Sequence, residues 1–186
     1  MFVAVVPPAE AVEDLDAFLE VRREAAGFRW TPAEQWHLTL AFMAEVADRH
    51  VDDLMARLER AARKRHPMTA TLAGGGAFPN VGRAKVLWAG VELTDDGATE
   101  IRRLATGARA AATKSGIEVD GGRFKPHLTL GRMGQPQELT SWVRLLDAYR
   151  GPVWTVDTLT LVESHLGEGP RGRPRYEVRE ELLLGR

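Results

Sequence analysis

Two copies of one four-residue phrase stand almost half a chain apart, His37-Leu38-Thr39-Leu40 and His127-Leu128-Thr129-Leu130. Each alternates polar and apolar residues, the period of a half-buried strand, whose successive side chains point to opposite faces. His37 and Thr39 therefore share a face, as do His127 and Thr129, while the four leucines turn into a core. Repetition at this separation points to a duplicated supersecondary unit. The phrase also has a plain structural use, because β-branched threonine suits a pleated surface whatever lies beside it. Chemistry gives it a second. Imidazoles titrate near neutrality, so one of a pair accepts a proton while the other donates one. The two hydroxyls beside them are placed to hold a phosphate.

The order of elements repeats with the phrase. Phe2 to Val6 reads as a buried first strand. Val12, Leu15, Phe18, Leu19 and Val21 give the segment from Ala11 to Ala25 near-helical spacing, punctuated by Pro7, Pro8 and Gly27. Trp36 to Met43 is the first phrase-bearing strand, and Asp48 to Arg65 a second amphipathic helix whose basic end suits the helix dipole. Met68 to Phe78 and Ala84 to Leu93 form a hairpin across Pro79-Asn80-Val81-Gly82. A helix from Gly97 to Ser115, the second phrase strand Phe124 to Met133, a helix from Pro136 to Tyr149, a strand from Val153 to Ser164 and a last strand from Arg175 to Leu184 follow. The expectation is an α+β fold over residues 1–186, a single bilobal domain. Its pseudo-twofold lobes are each an antiparallel sheet flanked by helices, with the His-Thr faces turned into a central cleft. The Gly167 to Pro174 loop reads as a mobile flap.

Composition narrows the function classes. At 186 residues, a chain hides roughly 70% of its unfolded surface on folding. A formal charge of −1 gives no broad attraction for polyanions, so any nucleic-acid contact must be local. With no cysteine, disulfides, thiolate nucleophiles and cysteine-held metals are excluded. The apolar start lacks the basic residues and length of a signal peptide, and no apolar run approaches the roughly 20 residues that span a membrane. A cytoplasmic monomer without membrane contact is expected. His50, His66 and His165 fall at element ends without metal-ligand spacing, and no metal or cofactor is expected.

Further residues join the candidate site. Lys125, two residues before His127, projects into the same cleft if Pro126 leaves the alternation intact, where its ammonium would meet a phosphate as a point charge. Arg132 has the opposite parity, unless Gly131 bulges the strand and redirects it. Phe78, after three glycines, is either core or a platform for a base. Arg171, Arg173 and Arg175 read as solvated loop residues or a phosphate-gripping flap.

These residues, with Phe2-Val3-Ala4-Val5, Trp36, Gly76-Ala77-Phe78-Pro79, Val86-Leu87-Trp88-Ala89-Gly90, Gly131-Arg132, Glu163-Ser164 and Arg175-Tyr176-Glu177-Val178, give a sequence that resembles the two-histidine (2H) phosphoesterases. Within them it is similar to the RNA 2′,3′-cyclic phosphodiesterases once described as 2′-5′ RNA ligases, whose mark is a pair of His-x-Thr-x motifs. The resemblance implies metal-independent hydrolysis of RNA or nucleotide 2′,3′-cyclic phosphates to 2′-phosphomonoesters. His127 would activate water, His37 would protonate the 3′ oxygen, and Thr39 and Thr129 would hold the non-bridging oxygens. Expected partners are cyclic-ended RNA or cyclic nucleotides. A non-catalytic module binding RNA ends or phosphorylated ligands is the rival class, and 2′-5′ ligation the expected side activity. Relatives often carry lysine where this chain has Ala41, which by parity removes a charge from the cleft. Lys125 stands where arginine is frequent, replacing a bidentate fork by a point charge.

Overall fold

Strand and helix boundaries follow the hydrophobic periods closely in the computed structural model, which describes residues 1–185. Among those residues the strands are β1 (Phe2–Val5), β2 (Arg29–Trp30), β3 (Leu38–Phe42), β4 (Met68–Phe78), β5 (Ala84–Leu93), β6 (His127–Gln137), β7 (Arg150–Val156), β8 (Thr158–His165) and β9 (Arg175–Leu183). The helices are α1 (Ala9–Arg23), α2 (Asp48–Arg63), α3 (Asp95–Lys114) and α4 (Thr140–Asp147).

All strand pairings are antiparallel, and the two halves share one curled sheet with the order β7-β4-β5-β6-β3-β1-β8-β9 and β2 beside β6. Five strands lie between β7 and β8 in this order, yet only Asp157 separates them in the chain. One residue spans at most ~3.6 Å, so the sheet has to curl until these two strands meet at a corner. That is why the stretch from Val153 to Ser164, which reads as one strand, is two. The fourth helix is also shorter than its sequence suggests. Pro136 is absorbed into β6, which runs on to pair Gln137 with Ala84 of β5, and α4 begins only at Thr140.

The helices cover the convex side. α2 packs on α3 and β9, α3 on β3, β4 and β5, α1 on β7 and β4, and α4 on β4. Leu38, Leu40, Leu128 and Leu130 are all buried, in one apolar core with Ile101, Leu104 and Ala108 of α3 and Leu15 and Leu19 of α1. Burying such a leucine is worth ~1.5–3 kcal/mol, so strand register is strongly held. A slip of one residue would put the histidines into this core and the leucines into water.

At the centre of the sheet the two phrase strands are neighbours. β3 meets β6 through the pair Leu38↔Leu128. Beyond it β6 pairs with β2, Arg29 facing Arg132 and Trp30 facing Gly131.

Candidate active site

With the leucines committed to the helix side, the alternating residues face the concave side. His37, Thr39, His127 and Thr129 line one cleft of about 200 Å³. Both imidazoles are fixed in the same way. Nδ1 of His37 lies 2.7 Å from the carbonyl oxygen of Gln35, and Nδ1 of His127 lies 2.7 Å from that of Lys125. A carbonyl only accepts, so Nδ1 carries the proton in both rings and donates it. Among the described residues Nε2 has no partner of this kind, and it is the nitrogen that can exchange a proton.

Aromatic rings brace each histidine. Phe2 stacks on His37 at 4.4 Å between centroids, with Tyr176 edge-on at 5.7 Å. Around His127, Phe78 stands edge-on at 5.0 Å and Trp88 at 6.0 Å. Gly76 makes room for this second brace, because a Cβ there would come within 2.2 Å of the Trp88 ring. Both histidines have pKa values held below the usual 6.5, chiefly by burial of the ring, with their carbonyl hydrogen bonds opposing the shift. The charge of Arg132 depresses both further, Lys125 adds to the effect on His127, and His127 to that on His37.

Arg132 reaches the cleft through a bulge. Trp88 of β5 pairs with Thr129 and Leu87 with Gly131, so Leu130 is an extra residue. Leu130 and Gly131 both turn to the core, and Arg132 regains the face of His127. Gly131 is the residue that fits such a bulge, since a Cβ would sit 2.8 Å from the Phe28 ring. The first phrase strand does the same. Ala4 of β1 pairs with Thr39 and Val3 with Ala41, making Leu40 the extra residue. Simple alternation therefore misplaces Ala41, which is 1% exposed in the core. Its absent charge cannot be one the cleft lost through that position. Phe42, at the place corresponding to Arg132, lines the cleft instead.

Lys125 takes a different place from that read by parity. Its exposed ammonium lies 4.0 Å from the centroid of Trp88, one of the rings that brace His127. It borders a neighbouring pocket with Trp88 and Tyr149, not the cleft that both histidines line. Phe78 likewise packs perpendicular to the His127 ring and does not line the cleft.

Several cleft residues give no periodic signal. Arg29 and Trp30 arrive on a two-residue strand, and Arg173 and Pro174 come from the Gly167–Pro174 loop. That loop is tied across the cleft, Gln35 Nε2 donating to the Pro174 carbonyl at 2.9 Å, and Arg173 accepting at its own carbonyl from the Gly169 N–H at 2.8 Å. Arg29, Arg132 and Arg173 all line the cleft, and among the described residues no carboxylate does. Arg29 and Arg132 also face each other across β2 and β6. Like charges set directly opposite are destabilising, and an anion between them removes that penalty.

A curled antiparallel sheet with paired His-x-Thr strands at its centre, opening on a cationic cleft, is the architecture of the two-histidine phosphoesterases. The chain belongs to the LigT-like phosphoesterase family, whose profile matches residues 4–88 and 91–171. An RNA 2′,3′-cyclic phosphodiesterase of Thermus thermophilus is 34% identical over 190 residues, covering 99% of this chain and 89% of the relative. That of Aeropyrum pernix is 33% identical over 151 residues, 78% of this chain and 82% of the relative. The crystal structure of Escherichia coli LigT complexed with 3′-AMP superposes with a TM-score of 0.79 at 26% identity, covering 100% of this chain and 97% of that one.

Proposed function

We propose that the protein opens 2′,3′-cyclic phosphates at RNA or nucleotide ends, leaving 2′-phosphomonoesters, and that His37 and His127 act as an acid–base pair. The observation that carries this reading is the twofold anchoring of Nδ1 at 2.7 Å to a carbonyl two residues earlier, which leaves one Nε2 of each ring for the same cleft. The names of the relatives and the nucleotide held by E. coli LigT support the substrate class.

In this reading neutral His127 takes a proton from water at Nε2 as the oxygen bonds to phosphorus. The bond from phosphorus to the 3′ oxygen breaks, and charged His37 gives its Nε2 proton to that oxygen. His127 ends protonated and His37 neutral, and exchange with solvent restores both. Lys125 favours the neutral form of His127 at the start, consistent with a base there. Thr39 and Thr129 donate to the non-bridging oxygens, and Arg132 offsets their growing charge.

The test is turnover of a 2′,3′-cyclic nucleotide and of a cyclic-ended RNA in the presence of a strong chelator, with the product identified by phosphorus NMR. A 2′-monophosphate is expected, and His37→Ala and His127→Ala should each lose about 10²–10⁴-fold in kcat. A 3′-monophosphate, or near-normal turnover by either variant, overturns the assignment. Tight binding without product would place the protein in the rival class of end-binding modules.

A further inference from the structure

A second concentration of positive charge lies on the opposite side of the sheet. α2 and α3 run antiparallel, since Ser115 at the end of α3 donates to Asp53 near the start of α2, and Arg65 just past α2 pairs with Glu100 near the start of α3. Small residues let them close up. A Cβ on Gly107 would meet the Cβ of Ala61 at 3.3 Å. The outer surface between them is a trough of about 640 Å³ floored by Ala61, Gly107, Ala110 and Ala111.

Each charged residue lining the trough is a cation. Arg57, Arg60, Lys64 and Arg65 stand on the α2 side and Arg102, Arg103 and Lys114 on the α3 side, in a protein whose formal charge is −1. Arg57 is paired with Asp53, and Arg65 and Arg103 share Glu100. Arg60, Lys64, Arg102 and Lys114 are exposed and have no salt-bridge partner among the described residues. Helix dipoles account for only part of this. They favour cations in the last turn of α2 and at Lys114, but Arg102 and Arg103 sit in the N-terminal half of α3, where a dipole gives a cation no benefit.

We infer that this trough is a second binding surface, for the sugar-phosphate backbone of an RNA whose cyclic end occupies the cleft. The choice of RNA over another polyanion rests on the reading given under Proposed function. The two surfaces are joined along the connection from α3 to β6. Arg109 of α3 donates to the carbonyls of Gly122, at 2.7 Å, and Leu40, and the Asp120 N–H donates to Phe42, which lines the cleft. Arg123 is exposed on this connection, which runs in the chain from Lys114 of the trough to His127 of the cleft. A chain leaving the cleft beside Phe42 can follow this connection to the cations of the trough.

The experiment replaces the four unpaired trough cations together, Arg60→Glu, Lys64→Glu, Arg102→Glu and Lys114→Glu. Binding of a labelled single-stranded RNA with a plain 3′ hydroxyl is followed by anisotropy across a salt series, beside hydrolysis of a 2′,3′-cyclic mononucleotide. Loss of four phosphate contacts should weaken RNA binding more than about tenfold and flatten the slope of log affinity against log salt by about 3, at ~0.7 per contact for a single strand. Mononucleotide kcat/KM should not change, which also certifies the fold. RNA affinity and salt slope equal to the parent's would overturn the inference. So would a capture by the trough of an acidic protein in preference to RNA. Failure of the parent protein on the mononucleotide would instead count against the catalytic reading, with the anisotropy arm still deciding the trough.

Discussion

Leu38 pairs with Leu128, and this single bridge marks the centre of the approximate twofold symmetry that builds the cleft. Continuing the antiparallel register one residue to either side sets His37 across from Thr129 and Thr39 across from His127. Each imidazole thus has the other motif's hydroxyl as its cross-strand neighbour. The symmetry extends to the bulges at Leu40 and Leu130, to the carbonyls that hold both Nδ1 atoms, and to the aromatic rings beside each histidine. It is broken at Phe42 and Arg132, which occupy corresponding places with opposite chemistry.

The cross-strand placement predicts equal importance for the two threonines. Thr39→Val and Thr129→Val each keep the β-branched shape and remove the donor. Each should lower kcat by about 10²-fold, the lower end of what loss of one oxyanion donor costs, with a smaller change in KM. Serine at either position should restore most of the rate. Steady-state kinetics on a cyclic mononucleotide reads this directly, and a loss confined to KM would assign the hydroxyls to ground-state binding.

A second prediction concerns pH. Activity requires His127 neutral and His37 charged, so kcat/KM should follow a bell whose two limbs report the apparent pKa values of the pair. Both pKa values lie below 6.5 in the free protein, mainly through burial. The kcat/KM optimum should therefore fall on the acid side of pH 6.5. A bound phosphate favours charged imidazoles, so the kcat profile should be displaced to higher pH. Linkage gives the stability counterpart. The unfolded chain takes up protons that the folded rings resist, so stability is full above pH 6.5 and is lost as pH falls below it. Denaturant midpoints measured over this range, with and without inorganic phosphate, check both parts.

The alternation of leucine with histidine and threonine is enough to place four cleft residues from sequence, because a strand's period leaves no choice once one face is buried. Beyond Leu40 and Leu130 the same rule fails. A bulge adds one residue to one strand, and where it falls is visible only in the pairing with the neighbouring strand, which the local pattern does not contain. Parity misreads Ala41 as a cleft position for this reason, and the place of Arg132 depends on a bulge that Gly131 only hints at. Gln35, Arg29 and Trp30 sit in turns or a two-residue strand, where no period exists to read. Lys125 follows the sequence expectation only up to its backbone, and its side chain is drawn off by the face of Trp88.

The bulge can be tested by filling it. Gly131→Val would drive a Cβ toward the Phe28 ring, now 2.8 Å from that point, and overpacking of this kind costs about 1–3 kcal/mol. The strain has to be relieved by moving Phe28 or the bulge, which re-aims Arg132. Activity should therefore fall further than stability does. Gly134→Val in the same strand meets nothing within 4 Å and should change stability by less than about 0.5 kcal/mol. Chemical denaturation of both variants, alongside turnover under fully folded conditions, separates the two effects.

The last prediction isolates the side chain of Gln35 from its backbone. The carbonyl of Gln35 holds His37 in its tautomer, while its Nε2 ties down Pro174 and with it the loop that carries Arg173 to the cleft. Gln35→Leu keeps the first contact and removes the second. One hydrogen bond of this type is worth about 0.5–1.5 kcal/mol, so the loop should release its hold on substrate by roughly two- to tenfold. KM should rise by that factor while kcat stays within about twofold, because the proton donor is untouched. Proteolysis at the loop should become faster in the same variant. An equal fall in kcat with unchanged KM would mean that the loop acts on the transition state rather than on capture, and Arg173→Ala would then reproduce the kcat defect.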